Sequence, residues 1–464
     1  MRLQLKEFYG NSHPEFPLDE NLTIYIGNNG SGKTTLLNVI HNILSCDFNP
    51  LFDKKFEEIV IEFDKEDYTP KVRGLVWIKK IRVTKTNNVL NIEYTTVNGI
   101  NYLFEGKKTI YPFVEINYEV KGEDLIANLP HYYPYGESLL ELISYYEELQ
   151  VLTKQIRYLK NSILYFPTYR RIDSDLLSLL EQNNTSKVDM DFEKVAKLFE
   201  SLPENNKLVG INDNDIDQLF QKYTFELQKR SSLGLNTVLK KLISTLIENT
   251  FQSKDSTSIR IRNKKVHSDT DSAEKLIDLA NQLKLRNVDY NSIKDYFSLK
   301  ESNLKNEIED KIAFEERLDD HDKIIRELIS LYSSHLLKME TLLKPFDFLQ
   351  DNFTKFFKNR LNLHIDEKSF IITQSKSFKD LSTGEKQLVT ILSYSSLLKS
   401  IVYRPLIIID EPELSLHLKW QLELIPTLLE LPNKPKLLIA THSPYIANHK
   451  FKNNIWAIGE TDDI

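Results

Sequence analysis

Short apolar runs that end in polar residues recur near both ends of the chain. Residues 22–26, 162–166, 405–410, 436–440 and 455–458 are predicted strands, and run 405–410 is apolar on both faces, as a central parallel strand would be. Helical patterns follow at 36–44, at 385–400 and soon after His417. Strands that alternate with helices predict the α/β fold class.

A second group of strand-like runs lies in the first quarter of the chain. Residues 1–9, 56–63, 74–83, 89–96 and 110–118 read as strands, and turn signals stand at Asn87-Asn88 and Asn98-Gly99. They predict an antiparallel β layer beside the parallel core. The segment that contains Pro14 and Pro17 is predicted to be a loop.

The middle of the chain is polar and mostly helical in its periodicity. Residues 136–159, 173–250 and 346–357 are predicted to be largely helical, and 361–366 with 369–373 to form a hairpin. Within 272–339, apolar residues recur at a spacing that suits a helical hairpin or a short coiled coil. The basic cluster at 260–265 reads as a solvated edge, or alternatively as a contact for nucleic acid or a partner.

The length of 464 residues allows two or three domains. We predict an N-terminal lobe at 1–180, a helical insertion at 181–345 and a C-terminal lobe at 346–464. The two lobes hold the predicted parallel strands, so together they would form one core.

Composition narrows the class of protein. The chain is 41% hydrophobic and 27% charged, which is typical of a soluble globular protein. It shows neither a bilayer-spanning apolar run nor a signal-peptide pattern, and its single cysteine, Cys46, excludes an internal disulfide. These features predict a cytoplasmic protein with no membrane partner. A net charge of -7 argues against a strongly basic nucleic-acid coat, though not against a local basic groove.

The loop after run 22–26 fits the phosphate-binding pattern G-x-x-x-x-G-K-[ST]. Its residues are Gly27, Asn28, Asn29, Gly30, Ser31, Gly32, Lys33, Thr34 and Thr35. The glycines let backbone N–H groups turn towards phosphate oxygens, and the following helix presents its positive end. Lys33 is predicted to reach the β- and γ-phosphates, and the Thr34 hydroxyl to hold Mg²⁺. The loop therefore predicts a site for ATP with Mg²⁺.

Two further strands end in residues that suit the same chemistry. Asp410 and Glu411 close run 405–410, where adjacent carboxylates are costly unless a cation is present. Asp410 is predicted to hold Mg²⁺ and Glu411 to act as general base. His442 follows run 436–440, where it could sense a γ-phosphate or a water, although a lone histidine is usually structural. The predicted catalytic residues are Glu411, His442 and Lys33.

Two further groups of residues could also bind an anion, although their sequence patterns are less specific. Ser382, Thr383, Gly384 and Glu385 precede or begin the helix at 385–400, where a helix start binds anions but serine is also a common N-cap. Arg170 and Arg171 lie just beyond run 162–166. That position suits contact with phosphate, a partner subunit or acidic residues, and a solvated turn explains it equally well.

In their order along the chain, these motifs resemble the ABC-type, AAA-family ATPase heads of the SMC, RecF and OLD group. Residues 27–35 match Walker A, 381–387 the signature, Asp410-Glu411 Walker B, 413–417 the D-loop and His442 the switch histidine. The resemblance covers the two ends of the chain. It implies an ABC-ATPase head, a P-loop NTPase, with an antiparallel β layer and a helical or short coiled-coil insertion.

The match to this group has one gap. No glutamine occurs between Gln4 and Gln150, so the usual Q-loop residue has no clear candidate. The signature also has Thr383 and Glu385 where transporters have glycine and glutamine.

The resemblance further implies ATP hydrolysis by a homo-oligomer. In a head-to-head dimer, or a higher even-numbered assembly, residues 382–385 of one subunit would close on the γ-phosphate held by Lys33 of the other. Residues 166–171 and 411–417 look like those of antiphage-defence ATPases of the Septu, PARIS or retron-associated type. That implies an antiviral sensor and scaffold that controls a separate nuclease or toxin effector, with a phage-encoded trigger.

Two other functions compete with this interpretation. A RecF- or SMC-like ATPase would repair or tether DNA directly, and would need a basic path that the charge of -7 supports poorly. The soluble subunit of a membrane transporter shares the core motifs. It has no place for the antiparallel region and the helical insertion.

Overall fold

The computed structural model describes most of the two chain ends and the main helices between them. The described residues are 1–9, 11–17, 21–64, 77–87, 89–108, 114–121, 125–127, 140, 143, 149–168, 213–251, 269–282, 290–291, 293–294, 297, 320–358, 360–366, 369–398 and 405–458. Arg170, Arg171 and the basic cluster at 260–265 lie outside them.

The strands and helices fall close to the runs expected from the sequence. In chain order the strands are β1 (Arg2–Phe8), β2 (Asn11–Pro17), β3 (Leu22–Ile26), β4 (Glu58–Glu62), β5 (Ile78–Thr86), β6 (Val89–Thr96), β7 (Asn101–Lys108), β8 (Val114–Lys121), β9 (Leu125–Ala127), β10 (Ile163–Phe166), β11 (Leu363–Ile365), β12 (Ile372–Gln374), β13 (Leu406–Asp410), β14 (Lys436–Ala440) and β15 (Ile455–Ala457). The helices are α1 (Lys33–Leu44), α2 (Gln150–Asn161), α3 (Asp213–Phe251), α4 (Asp269–Gln282), α5 (Asp320–Phe357), α6 (Thr383–Ser393) and α7 (Leu418–Leu429).

A parallel sheet positions the candidate site. Its order is β10-β13-β14-β3-β15, and every neighbouring pair is parallel. All five residues of β13 and of β14 are buried, which is why these runs are apolar on both faces. Helix α1 packs against β10, β13 and β14. Ligands bind outside the carboxyl ends of such strands, and the predicted site residues follow β10, β13, β14 and β3.

An antiparallel sheet of eight strands accompanies the parallel one, in the order β2-β1-β4-β5-β6-β7-β8-β9. Buried residues of β1, β4, β5, β6 and β7 join α1 and the parallel strands in one hydrophobic core. The expectation of a loop around Pro14 and Pro17 is wrong, because both residues lie in β2. Strand β2 is at the sheet edge, where a proline without an N–H is tolerated.

The chain divides into two compact units. The first comprises Met1–Ile216 and Lys376–Ile464, and the second Asp217–Ser375. The lobe and insertion boundaries expected from the sequence, 180/181 and 345/346, stay a prediction. Helix α5 runs through Pro345 to Phe357 without a break.

The second unit is helical, with the small hairpin β11–β12. Helices α3 and α5 approach closely at Gly234, where a Cβ atom would lie 2.2 Å from the imidazole Nδ1 of His335. The Tyr332 hydroxyl donates to Asp278 Oδ2 at 2.6 Å and joins α5 to α4. Whether these helices form a coiled coil stays a prediction.

The architecture expected from the sequence is confirmed: an α/β fold with a parallel sheet, an antiparallel β layer and a helical unit inserted between the two chain ends. Among the described helices, none is both long and apolar enough to cross a membrane.

Candidate functional site

The loop between β3 and α1 has the conformation that an anion-binding turn requires. Gly30 and Gly32 have φ values of +84° and +95°, in the left-handed region that favours glycine. Gly32 is also the N-cap of α1, so no side chain caps the first turn and its N–H groups remain for a ligand. Asn28, Asn29 and Gly30 are exposed. The loop is therefore open to solvent above a helix N-terminus.

Gly27 is required for a different reason. A Cβ atom there would lie 2.4 Å from the carbonyl oxygen of Ile458, next to β15, and 2.7 Å from Ser31 Oγ. The Ile458 N–H donates to Ile26 O at 2.8 Å, which holds that carbonyl beside the loop. Only glycine fits this close approach of two backbone segments.

The ammonium of Lys33 folds back under the loop. Its Nζ atom donates to Gly27 O at 2.9 Å and to Asn28 O at 3.2 Å, and it lies 2.7 Å from His442 Nε2. Burial lowers the pKa of Lys33, while the charges of Glu411, Asp410 and Glu413 act to raise that pKa. Three carboxylates therefore act electrostatically on this buried cation. Its next residues on α1 are the exposed Thr34 and the half-exposed Thr35.

Asp410 and Glu411 end strand β13 beside this cation. Asp410 is 1% exposed, and its Oδ1 atom is buried without a hydrogen-bond partner among the described residues. Glu411 has a φ of 47°, which is rare for a residue with a side chain and is often found at functional sites. Its N–H donates to Ala440 O at 2.8 Å, and its Oε1 atom lies 3.4 Å from His442 Nε2.

Four residues at the ends of adjacent parallel strands are here named the Lys33 cluster: Lys33, Asp410, Glu411 and His442. Asp410 and Glu411 lie at the end of β13, His442 follows β14, and Lys33 begins α1, the helix after β3. The sequence predicted all four of these residues. Their meeting follows from the sheet order β13-β14-β3, which aligns the carboxyl ends of the strands.

Thr168 is a site residue that the sequence analysis missed. It follows β10, the neighbour of β13, and its hydroxyl donates to Asp410 Oδ2. One carboxylate oxygen of Asp410 is thus held, and the other is left for a cation. The available signal was a polar residue two positions after a strand, in the same stretch as the predicted residues Arg170 and Arg171.

The predicted signature residues begin α6. Ser382 is its N-cap and forms a capping box with Glu385: the Ser382 backbone N–H donates to Glu385 Oε2 at 2.9 Å, and the Ser382 hydroxyl accepts from the Glu385 N–H at 3.4 Å. A Cβ atom on Gly384 would lie 2.2 Å from Ser415 O. The backbone of α6 therefore packs directly against the backbone of the turn after β13, which only glycine allows. Ser382 is exposed and Thr383 half-exposed. The serine thus serves as an N-cap, and a phosphate contact by residues 382–385 stays a prediction.

The donor set suits Mg²⁺ bound together with phosphates. The described residues contain no group of three or more His, Cys, Asp and Glu side chains that could hold a metal ion by themselves. They do offer the unpartnered Oδ1 atom of Asp410 and the exposed Thr34. Mg²⁺ typically takes one or two protein oxygens and completes its shell with phosphates and water.

Comparison with known proteins gave one family and several structures. The AAA ATPase domain family matches residues 1–447. The Smc head domain with an extended coiled coil bound to the C-terminal domain of ScpA, derived from Pyrococcus furiosus, is 13% identical with a TM-score of 0.36, over 99% of this chain and 93% of that chain. The Smc head domain with a coiled coil and joint derived from Pyrococcus yayanosii is 15% identical with a TM-score of 0.32, over 100% and 95%. A search of curated proteins found no match.

Proposed function

Because the chain belongs to the AAA ATPase domain family, we propose that it binds ATP with Mg²⁺ at the Lys33 cluster and hydrolyses it. The observation that carries this proposal is the meeting of a phosphate loop, a buried lysine, two carboxylates and a histidine at one edge of a parallel sheet. The direct test is phosphate release by the purified protein. Release that needs both ATP and Mg²⁺ is expected, and absence of ATP binding would refute the proposal.

The loop and Lys33 bind the phosphates. The ammonium has three N–H donors, and Gly27 O, Asn28 O and His442 Nε2 accept them. A γ-phosphate can take the third donor from His442, because its charge makes it the stronger acceptor. The imidazole of His442 is then free to face the phosphate, so the same residue reports whether ATP is present.

Thr34 and Asp410 would hold Mg²⁺, which neutralises charge on the phosphates when bound. Glu411 would accept a proton from the attacking water, and the position of its carboxylate beside His442 at the end of β13 supports this role. His442 would orient that water or the γ-phosphate. Lys33 would stabilise the charge that develops on the phosphoryl oxygens.

Replacing Thr168 with valine should selectively weaken binding of the ATP–Mg²⁺ complex. Valine keeps the shape but cannot donate to Asp410 Oδ2, so the carboxylate loses the group that orients it. Loss of such a supporting hydrogen bond typically costs about 10–100-fold in metal affinity. Calorimetric titration with ATP should show that loss in Mg²⁺ and no change in EDTA, and Thr168→Ser should restore binding. Equal loss in EDTA would assign Thr168 to packing instead.

The ATP site would be completed by a second copy of the chain. Within one subunit the exposed phosphate loop is bounded by α1 and the strand ends, and Ser382 is exposed at the start of another helix. We infer a head-to-head dimer, or a higher even-numbered assembly, in which residues 382–385 of one subunit close on the γ-phosphate at the other. ATP would join the heads and hydrolysis would release them.

At the level of biology, we propose a sensor and scaffold of an antiphage defence system that controls a separate nuclease or toxin effector. The support is the likeness of residues 166–171 and 411–417 to defence ATPases. Copurification of a nuclease or toxin encoded beside this chain, released when a phage product is added, is the expected result. An ATPase rate that rises with duplex DNA and no copurifying effector would favour the DNA-repair function.

A further inference from the structure

The loop that carries His442 is fastened to the turn after β13 by one carboxylate. Glu413 lies in the short 3-10 turn Pro412–Leu414. Its Oε1 atom accepts the His442 N–H at 2.5 Å and the Ser443 N–H at 3.1 Å. A single oxygen thus binds two consecutive amides, which is a strong charge-assisted arrangement. These bonds reach the backbone at His442 and leave its imidazole uninvolved.

A second side chain supports the same connection. Gln421 on α7 is buried, and its Nε2 atom donates to Leu416 O at 2.8 Å. Its Oε1 atom accepts the Ser443 hydroxyl at 2.6 Å. The segment from the Glu413 turn to α7 and the loop after β14 are therefore joined at two points: the amides of His442 and Ser443, and the hydroxyl of Ser443.

The imidazole of His442 contacts different groups from its backbone amide. Its Nε2 atom is 2.7 Å from Lys33 Nζ and 3.4 Å from Glu411 Oε1, and its side chain is 30% exposed. The ring can exchange partners by rotating about its side-chain bonds while the backbone stays in place. A side chain that acts on the γ-phosphate must be positioned to within about 0.5 Å, and a fixed backbone at its Cα atom provides that accuracy.

We propose that Glu413 is a positioning residue that sets the place of His442 for ATP hydrolysis. The inference rests on the proposed function, since it assumes that His442 acts on bound ATP. A carboxylate suits the task because it accepts two N–H groups at once. Glutamine could also do so through its carbonyl oxygen, whereas alanine could not.

The kinetic test combines Glu413 and His442 variants. In the otherwise wild-type protein, Glu413→Ala should lower kcat by about tenfold or more, because a small displacement of a catalytic group has a large effect on rate. In a His442→Ala background the same change should lower kcat by less than about twofold, since no imidazole remains to be positioned. Glu413→Gln should stay within about threefold of wild type, because it keeps the acceptor without the charge.

Other outcomes would overturn the inference. An equal fall in kcat in both backgrounds would make Glu413 a structural residue, and a Glu413→Gln variant as slow as Glu413→Ala would make its charge the important property. If His442→Ala hydrolyses ATP at the wild-type rate, the role proposed for His442 fails and the premise here falls with it. If the wild-type chain does not hydrolyse ATP, the proposed function itself has failed.

Hydrogen exchange gives a second test, whose first measurement uses only the wild-type protein. The His442 and Ser443 amides of the wild-type protein should exchange slowly although His442 is exposed, because Glu413 accepts both. Glu413→Ala should speed exchange of a peptide covering 441–446, and Glu413→Gln should not. Rapid exchange of both amides in the wild-type protein would contradict the inference.

Discussion

Replacing Lys33 with alanine is expected to weaken ATP binding by roughly 100-fold. The ammonium is the cation at the centre of the site, and its partners Gly27 O, Asn28 O and His442 Nε2 would lose their donor. Three carboxylates, Glu411, Asp410 and Glu413, act electrostatically on this lysine. Without the cation they would repel the phosphates. Calorimetric titration with ATP and Mg²⁺ measures the loss.

Lys6 provides a matched control in the same compact unit. Its side chain is 56% exposed and pairs with Glu57 at 2.7 Å on the surface. Lys6→Ala removes the same charge from the chain and should bind ATP as wild type does. Wild-type affinity in the Lys33→Ala protein would remove the phosphate loop from its proposed role.

Replacing Glu411 with glutamine should leave ATP binding intact and lower turnover by about 10²–10⁴-fold. Glutamine has the same shape, so it can keep the left-handed backbone at this position and the backbone bond to Ala440 O. It cannot accept a proton from water at neutral pH. Single-turnover phosphate release, measured beside the affinity for ATP, separates the two effects.

Glu430 is the control for this substitution, because it is an exposed glutamate at the end of α7. Glu430→Gln should hydrolyse ATP at the wild-type rate. Should Glu411→Gln also turn over normally, another group would have to be the base, and the assignment of Glu411 would be wrong.

Local pattern predicted the residues of the Lys33 cluster, because Lys33 stands in the phosphate-binding pattern and the other three stand at or just after the ends of apolar runs. The run 405–410 ends in Asp410 and is followed by Glu411, and the run 436–440 ends two residues before His442. Parallel strands bring such ends together, so the sequence predicted which side chains form the site, although it did not give the distances between them. The strand bounds of β6 and β14 match the predicted runs to the residue.

Long-range contacts explain what the sequence did not reveal. Thr168 matters because β10 pairs with β13, and position 27 requires glycine because Ile458, the residue after β15, approaches it. Neither partner can be read from neighbouring residues. The two prolines in β2 predicted a loop from local sequence alone. The sheet order shows that this strand is at an edge, where proline is tolerated.

We propose that ATP joins two copies of the chain through a shared site. The solution mass of the Glu411→Gln protein, measured by light scattering with and without ATP and Mg²⁺, tests this proposal. This variant should hold ATP without consuming it. A matched protein carries both Glu411→Gln and Ser382→Arg. It should still bind ATP at Lys33, because Ser382 lies at the start of a different helix, α6. The bulk of the arginine should block the approach of the second subunit.

We expect ATP with Mg²⁺ to double the mass of the Glu411→Gln protein and to leave the mass of the Glu411→Gln, Ser382→Arg protein unchanged. A mass that stays the same with and without nucleotide, while ATP binding is demonstrated in the same sample, would contradict the shared site. It would also leave Ser382 as a helix cap alone.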